Sequence, residues 1–389
     1  MILHRRIEQL VPPQPLDLLL FHMRYRRSHF CWSDHVIEDD MRRLLERFKI
    51  IAQGNVPGDI NGPKFNRYVV TNFRGGIGKS TIAFNLSWEI SRNHKTLLMD
   101  VCPQRNFTQS LLGEDIFTVG KTVYDLLIGS IFSGVNDTTP EDALVSIPPS
   151  CLPFKNGKTC HLIPGSADLF LFPSVLYSQI AAVSQLPGPD RARDASRGIL
   201  RAIDHVIAAA AKHTQAEKIL VDTSPFFGGA THLAWVAAEA LIIPVRVDQH
   251  SIDALKQTLA MLRDHKQDFL RLNDQAGITT VPKVHAIAIT HCGWNRQNPN
   301  TPDHSTQSYV KMIMEIVENF RNLFSHDDIV DSIHLLDDFH SAGRISGSRR
   351  VPLAQLRVGQ QATIGGQKLE VNQSIVRYQA EMRALAQVL

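Results

Sequence analysis

The sequence predicts an α/β fold in which a mostly parallel sheet is covered by helices on both faces. Short apolar runs without polar alternation recur along the chain, as in strands that are buried on both sides. Amphipathic helical patterns separate these runs, which is typical of parallel strands joined by crossover helices. A glycine-rich loop also connects the first such strand to the first such helix. These observations together indicate one large sheet domain.

The predicted elements follow one another from about residue 67. The strands are expected at residues 68–71, 96–99, 161–163, 219–221, 241–243 and 284–290. The helices are expected at residues 80–92, 198–211, 252–262, 309–324 and 373–389, where apolar residues recur at helical spacing. The sequence contains no internal repeat or low-complexity tract, so a single domain of residues 65–389 is predicted.

Residues 1–64 are predicted to form a short, partly helical N-terminal extension. The prolines at 12, 13 and 15 break any early helix, and residues 34–52 have a helical apolar pattern. Residues 54–63 are rich in Gly, Pro and Asn and indicate a loop. Two roles remain open for the helix: it docks a partner, or it packs on the main domain.

The composition fits a globular protein of the cytoplasm. Of the 389 residues, 43% are hydrophobic and 20% are charged, which is ordinary for such proteins. The five cysteines are widely spaced and form no Cys-x-x-Cys pair, which argues against a disulfide framework and fits a reducing compartment. No apolar run approaches the roughly 18–20 residues that span a bilayer, so no membrane association is expected.

The charge is mildly basic overall but uneven along the chain. The formal net charge is +3, yet from residue 341 onward only Glu370 and Glu381 oppose a set of basic residues. That set is Arg344, Arg349, Arg350, Arg357, Lys368, Arg377 and Arg383. Either a basic contact surface or a merely solvated face is consistent with this pattern.

The glycine-rich loop at residues 73–81 is the strongest functional signal. Glycines allow backbone N–H groups to turn toward phosphate oxygens, and the following helix adds a partial positive charge. Lys79 supplies a full positive charge, and the hydroxyl of Ser80 can ligate Mg²⁺. The sequence therefore predicts that ATP and Mg²⁺ bind through a set of loop residues. These are Gly75, Gly76, Ile77, Gly78, Lys79, Ser80 and Thr81.

The loop departs from the usual phosphate-binding pattern, because Phe73 stands where the first glycine of G-x-x-x-x-G-K-[ST] would fall. Residues 72–81 instead resemble the deviant Walker A loop of the ParA/MinD family, whose usual form is K-G-G-x-G-K-[ST]. Residues 100–106 are similar to that family's D-x-D-P-Q-x-N, and residues 219–225 are similar to its Walker B strand and D-x-x-P turn. Residues 162–166 and 241–245 also match in place and order.

The resemblance covers the chain from about residue 67 onward and is closer to ParA than to MinD. The last predicted helix lacks the strongly basic amphipathic pattern of a MinD membrane anchor. The fold it implies is a P-loop NTPase of the deviant Walker A type.

The resemblance implies a role for several single residues. Lys79 and Ser80 hold phosphate and magnesium, and Asp222 holds the metal through water. Asp100 orients or activates the attacking water, although a strand-end cap is an alternative. Thr290 is expected near the adenine.

Two positions depart from the family pattern. Arg74 replaces the signature lysine, which in ParA-like proteins crosses a dimer to reach the partner's phosphates. Arginine keeps the positive charge and could act like an arginine finger, but its geometry differs from that of lysine. Cys102 replaces the second acidic residue of D-x-D-P-Q, which removes a carboxylate near the metal and predicts slow, partner-stimulated hydrolysis.

The implied function is that of a ParA-like ATPase, which dimerises around Mg-ATP and binds DNA without sequence preference. It would position a plasmid, a chromosome or other cargo together with a ParB-like or other adaptor protein. Arg349 and Arg350, in a predicted loop, are the best candidates for DNA contacts. The expected location is cytoplasmic, and nucleoid-associated if DNA binds. The alternative is a nucleotide-gated regulatory protein with little ATP turnover and no DNA binding.

Overall fold

A computed structural model describes residues 34–58, 62–132, 135, 137–295, 297–298 and 300–389. The predicted proline break near residue 12 lies outside these residues. One compact unit spans Asp40–Leu389, and the described part of the other unit, Met1–Asp39, is the start of a helix.

The main sheet has eight strands in the order β3-β4-β2-β5-β1-β6-β7-β8. All neighbours pair in parallel except β3 and β4, which are antiparallel. A separate antiparallel pair, β9 and β10, forms a hairpin. The strands are β1 (Arg67–Val70), β2 (Thr96–Asp100), β3 (Val145–Ser146), β4 (Cys160–Ile163), β5 (Lys218–Asp222), β6 (Ala240–Arg246), β7 (Lys283–Cys292), β8 (Ile333–Asp337), β9 (Gln361–Ile364) and β10 (Gln367–Glu370).

The α-helices connect these strands and cover the sheet. They are α1 (Asp34–Ala52), α2 (Lys79–Ser91), α3 (Asn106–Leu112), α4 (Val123–Ile131), α5 (Ile147–Ser150), α6 (Phe172–Val183), α7 (Pro189–Leu200), α8 (Ala202–Thr214), α9 (Ala230–Ala237), α10 (Gln249–Arg263), α11 (Asp268–Gln275), α12 (His304–Asn319), α13 (His340–Arg349) and α14 (Ile375–Gln387).

The predicted α/β fold with a mostly parallel sheet is confirmed. The six strands predicted from the sequence all form, with ends that differ from the prediction by at most three residues. Strands β3 and β8 and the β9–β10 hairpin were not predicted. Strand β8 is fully buried but only five residues long, and His334 interrupts its apolar run, which hides it in the sequence.

The single helix predicted at residues 198–211 is wrong, because the chain breaks between α7 and α8. Arg201 leaves the helical conformation there, with φ −93° and ψ 11°. The residues on both sides of it, Ile199, Leu200, Ala202 and Ile203, are all buried. Ile199, Ala202 and Ile203 have the i, i+3, i+4 spacing of one helix face, so the apolar pattern continues across the break and does not reveal it in the sequence.

The helix predicted at residues 309–324 is shifted toward the N-terminus. Helix α12 begins at His304 because the side chain of Asp303 accepts a hydrogen bond from the backbone N–H of Thr306 at 2.8 Å. It ends at Asn319, and Phe320 adopts a non-helical conformation.

The part of helix α1 that belongs to the larger compact unit packs on the main domain, as one of the two roles left open for it expects. The partner-docking role stays a prediction. From residue 40 onward, its apolar side chains Leu44, Phe48 and Ile51 are buried. The guanidinium of Arg47 donates to the carbonyl of Val330 at 2.7 Å and lies 3.3 Å from the carboxylate of Asp331. The domain boundary placed between residues 64 and 65 stays a prediction.

The sheet brings the predicted functional residues to one edge. Strand β1 lies between β5 and β6, and β5 also pairs with β2. The register places Asp222 beside both Val70 and Asp100. The carboxyl ends of three neighbouring strands therefore meet, which is where parallel α/β sheets bind ligands.

Candidate functional site

The glycine-rich loop connects β1 to α2 and faces a cleft at the carboxyl edge of the sheet. Gly76 and Gly78 have φ angles of +71° and +90°, which side chains rarely tolerate. Helix α2 begins at Lys79, so its N-terminal N–H groups open toward the loop. A phosphate group is the ligand that such N–H groups and a helix N-terminus favour.

Lys79 is buried at the centre of the loop, with 7% of its surface exposed. Its ammonium donates to the backbone carbonyl of Arg74 at 2.7 Å. Burial lowers the pKa of Lys79, while the nearby acidic side chain of Asp222 opposes that shift. The ammonium thus bridges the loop, and a phosphate oxygen can replace the carbonyl as its acceptor.

Ser80 and Asp222 form the second part of the site. The hydroxyl of Ser80 donates to Oδ2 of Asp222 at 2.6 Å. Asp222 is fully buried, and its Oδ1 has no hydrogen-bond partner among the described residues. Burial, with a contribution from the carboxylate of Asp100, raises the pKa of Asp222 to about 8.

This pair fits Mg²⁺. A hydroxyl and a carboxylate oxygen are the hard ligands that Mg²⁺ prefers, and the unpartnered Oδ1 is an acceptor that a hydrated cation would satisfy. When bound, Mg²⁺ neutralises charge on the phosphates. Among the described residues, no cluster of three or more His, Cys, Asp or Glu side chains could hold a metal. An ion here would therefore depend on phosphate and water for its remaining ligands.

Asp100 does not line the cleft, and its carboxylate makes the hydrogen bonds of a strand-end cap, while the water-orienting role stays a prediction. Its Oδ1 accepts from the backbone N–H of Cys102 at 2.9 Å. Its Oδ2 accepts from the N–H and the hydroxyl of Thr108 at 2.9 and 2.7 Å. The side chain is fully buried, and burial raises its pKa. Its oxygens hold the turn between β2 and α3.

Cys102 occupies the position in this turn that does line the cleft. Burial, reinforced by the acidic side chain of Asp100, raises the pKa of its thiol to about 12. The thiol is therefore neutral at physiological pH, and it is neither a base nor a reactive nucleophile.

Arg74 is not among the residues that line the cleft, although the sequence places it among the catalytic residues. Its guanidinium lies 3.0 Å from the carboxylate of Asp248, which follows β6 and caps α10. No pattern in the sequence connects these residues, which are far apart along the chain. Only the pairing of β1 with β6 brings them together.

The cleft has a volume of about 940 Å³, and its far wall comes from parts of the chain that the sequence did not indicate. That wall follows β8 and includes His340 and Arg344 of α13. Thr290 also lines the cleft, where its hydroxyl donates to the carbonyl of Ile77 at 3.3 Å. Its expected place near the adenine stays a prediction. His291 and His340 have φ angles of +59° and +41°, an uncommon conformation that often accompanies function.

Comparison with known proteins agrees with this geometry. The family model AAA_31, described as an AAA domain, matches residues 66–275, slightly more than half of the chain. The chain belongs to the AAA_31 family. The chromosome-partitioning ATPase Soj of Thermus thermophilus is 26% identical over 203 residues, which are 52% of this chain and 63% of that protein. The chromosome partitioning protein ParA of Myxococcus xanthus is 27% identical over 48% of this chain and 54% of that protein.

These matches span less than two thirds of the relatives' own lengths. Among solved structures, the ATP complex of a Cyanothece McdA variant covers 76% of this chain and 91% of that chain, at 18% identity and a TM-score of 0.53. That likeness concerns the fold. The resemblance to the ParA/MinD family is confirmed, and family membership together with the loop geometry supports ATP and Mg²⁺ as ligands of this AAA_31 domain.

Of the two arginines proposed for DNA contacts, Arg349 lies in a helix, and Arg350 lies in the turn that follows it. Arg349 is exposed in the last turn of α13, and Arg350 follows it with a left-handed backbone, φ +54°. The half-buried guanidinium of Arg350 donates to the carbonyl of Ser150 at 3.0 Å and packs against Gly113. Part of the binding capacity of Arg350 is thus used by contacts within the chain.

The other basic residues from residue 341 onward also fall into two groups, those that are exposed and those that are engaged in contacts within the chain. Exposed members are Arg344, Arg349, Arg357 and Lys368. By contrast, Arg377 pairs with Asp337 and Glu381, and Arg383 donates to the carbonyl of Gly54. The available basic surface is therefore smaller than the sequence indicates.

Within the described part of the chain, no helix is both long enough and apolar enough to cross a bilayer. Helix α14 buries Ile375, Tyr378, Met382 and Leu385 in the domain, so its apolar face is already covered.

Proposed function

We propose that this chain is a ParA-like ATPase that binds Mg-ATP and dimerises around it. The ATP-bound dimer binds DNA without sequence preference and helps to partition or position a plasmid, a chromosome or other cargo. The observation that supports this most directly is the arrangement of Lys79 beside the Ser80–Asp222 pair, at the start of a helix and under a glycine loop.

Each residue of this arrangement has a task in nucleotide binding. Backbone N–H groups of residues 75–80 surround the phosphates, and Lys79 exchanges the carbonyl of Arg74 for a phosphate oxygen. Ser80 and Asp222 hold the magnesium side of the nucleotide. Lys79 and Asp222 are already buried, so little water is displaced when Lys79 binds a phosphate oxygen and Asp222 faces the magnesium side of the nucleotide.

Hydrolysis by the isolated chain is proposed to be slow. The turn that faces the loop presents the neutral thiol of Cys102, while the carboxylate of Asp100 is occupied by three hydrogen bonds. The thiol is a poor base for water, and the three hydrogen bonds to Asp100 compete with proton transfer from water to its carboxylate. A ParB-like or other adaptor is proposed to stimulate turnover, with Arg74 of the partner copy supplying positive charge at the phosphates.

DNA binding is proposed to use the exposed basic residues of the C-terminal region. Arg349 is the main candidate of the pair predicted from the sequence, and Arg350 contributes less because its guanidinium is engaged. Contacts of this kind go to phosphates and carry no sequence information. The proposed location is the cytoplasm, at the nucleoid.

The test is binding to random double-stranded DNA with ATP, with ADP and without nucleotide, at two salt concentrations. ATP-dependent binding that weakens steeply with salt is expected, because phosphate contacts release counterions. Arg349→Gln should weaken binding and reduce the salt slope by about one. Arg191→Gln, which alters an exposed arginine on α7, is the matched control and should bind as the wild type does. Absence of DNA binding in every nucleotide state would refute this part of the proposal.

The turn at Cys102 also supports a second candidate, a nucleotide-gated regulatory protein with little turnover and no DNA binding. It predicts that ATP changes binding to a protein partner while DNA binds in no nucleotide state. ATP-dependent DNA binding would exclude it.

A further inference from the structure

Asp248 contacts Arg74, the residue that stands in place of the family's signature lysine. Its carboxylate lies 3.0 Å from Nη1 of Arg74, and both side chains are about one quarter exposed, at 27% and 29%. The same carboxylate caps α10 by accepting from the N–H of Ser251 at 2.9 Å. A second cation, Arg246, lies 3.6 Å from its other oxygen.

The backbone of Arg74 is fixed, while among the described residues its side chain is held by this ion pair. The N–H of Arg74 donates to the side chain of Asn72 at 3.0 Å, and its carbonyl accepts from Lys79 at 2.7 Å. Asn72 is fully buried and donates to the carbonyl of Pro244 at 2.7 Å. The guanidinium of Arg74 can therefore be redirected by rotation of its side chain alone. That rotation must break the ion pair with Asp248.

We propose that Asp248 is a positioning residue that holds Arg74 against its own subunit until ATP and a second copy of the chain are bound. The inference rests on the proposed ATP-driven dimer. Arg74 then exchanges the carboxylate of Asp248 for the nucleotide phosphates of the partner copy. Arg246 remains beside Asp248, so the carboxylate is not left without a cation when Arg74 departs.

Nucleotide binding acts on this ion pair through Lys79. In the nucleotide-free chain the ammonium of Lys79 holds the carbonyl of Arg74. When Lys79 turns to a phosphate, that carbonyl loses its donor, while the N–H of Arg74 keeps its hydrogen bond to Asn72. Binding of ATP thus removes one of the two backbone hydrogen bonds that fix Arg74 in its ion-paired position.

The test is the protein concentration at which the full chain dimerises with Mg-ATP, measured by sedimentation velocity. Asp248→Asn removes the negative charge but keeps a good cap for α10. Since partly exposed ion pairs have modest strength, the dimer dissociation constant should fall by about two- to fivefold. The gain should disappear in about 1 M salt, where the pair is screened. Asp248→Ser, another good capping residue, should behave in the same way.

Asp303→Asn is the matched control, because it makes the same change at the cap of a different helix, α12. It should leave dimerisation unchanged. In an Arg74→Gln background, Asp248→Asn should give no gain, since its effect requires Arg74.

The outcomes separate the two proposals. If the wild type dimerises with ATP and Asp248→Asn dimerises equally or more weakly, the role of Asp248 is overturned and the proposed dimer stands. If every variant stays monomeric although a thermal shift shows that ATP is bound, the proposed dimer fails and the role of Asp248 fails with it.

Discussion

Two buried lysines allow the phosphate-binding role of Lys79 to be separated from a structural one. Lys79 and Lys218 are equally buried, with 7% exposed each. Lys79 donates to one carbonyl, that of Arg74, whereas Lys218 donates to the carbonyls of Phe65 and Leu389. Because Lys79 is a buried charge with one partner, Lys79→Ala should lower the free energy of unfolding by only about 1 kcal/mol. Lys218→Ala removes two charge-assisted bonds and should cost about 3 kcal/mol.

The loss of the response to ATP should rank the two variants in the opposite order to their loss of stability. At about 100 times its dissociation constant, a ligand that binds only the folded state adds about 2.7 kcal/mol to stability. For a chain of this size each kcal/mol moves the Tm by roughly 1–2 °C. Mg-ATP should therefore raise the Tm of the wild type and of Lys218→Ala by roughly 3–5 °C. It should leave the Tm of Lys79→Ala unchanged.

Scanning calorimetry with and without Mg-ATP measures both effects on the same samples. If Lys79→Ala kept the full ATP-induced shift, the assignment of the phosphate site would be refuted. If Lys218→Ala also lost the ATP-induced shift while remaining folded, removal of any buried lysine would be enough to abolish the shift. The loss in Lys79→Ala would then say nothing specific about the phosphate site.

Three further predictions concern the metal, turnover and pH. Asp222→Asn should remove the difference between ATP-induced shifts measured with Mg²⁺ and with EDTA; a persisting difference would place the metal elsewhere. Cys102→Asp should raise ATP turnover at least about tenfold by adding a carboxylate to the cleft wall, whereas Cys102→Asn should not; equal rates in a phosphate-release assay would contradict this. Burial lowers the pKa of His232 and of His285 from 6.5 to about 4, so the folded chain binds fewer protons than the unfolded chain between these values. Their contribution to stability is complete above about pH 6.5 and is lost as the pH falls toward 4, which urea unfolding at several pH values should show as a steady decline.

The fold and the phosphate loop were readable from the sequence because their signals are local. Buried strands appear as short apolar runs, and the loop from Phe73 to Thr81 lies between a strand and a helix. The structure brings Asp222 and Ser80 together, and the metal-binding role that the family resemblance implies for both stays a prediction.

The remaining parts of the site depend on contacts between distant segments. The pairing of Arg74 with Asp248 and the cleft wall at α13 arise from the order of strands, which no single segment encodes. The water-orienting role of Asp100 stays a prediction, and its hydrogen bonds are a further feature that the motif does not reveal. A motif places a carboxylate at a strand end, but only the structure reveals that Thr108 occupies one of its oxygens.

Helix α1 has a consequence for where the chain can be shortened. Strand β8 is the last strand of the sheet, and Arg47 donates to the carbonyl of its first residue, Ile333. An uncovered strand at the edge of a sheet is a template for pairing with other chains. A chain that began at residue 65, close to where the family match begins, would lose Arg47 together with the apolar cover of Leu44 and Phe48. We therefore expect a chain shortened in this way to self-associate more readily than the full chain, although none of the described residues of α1 lines the cleft.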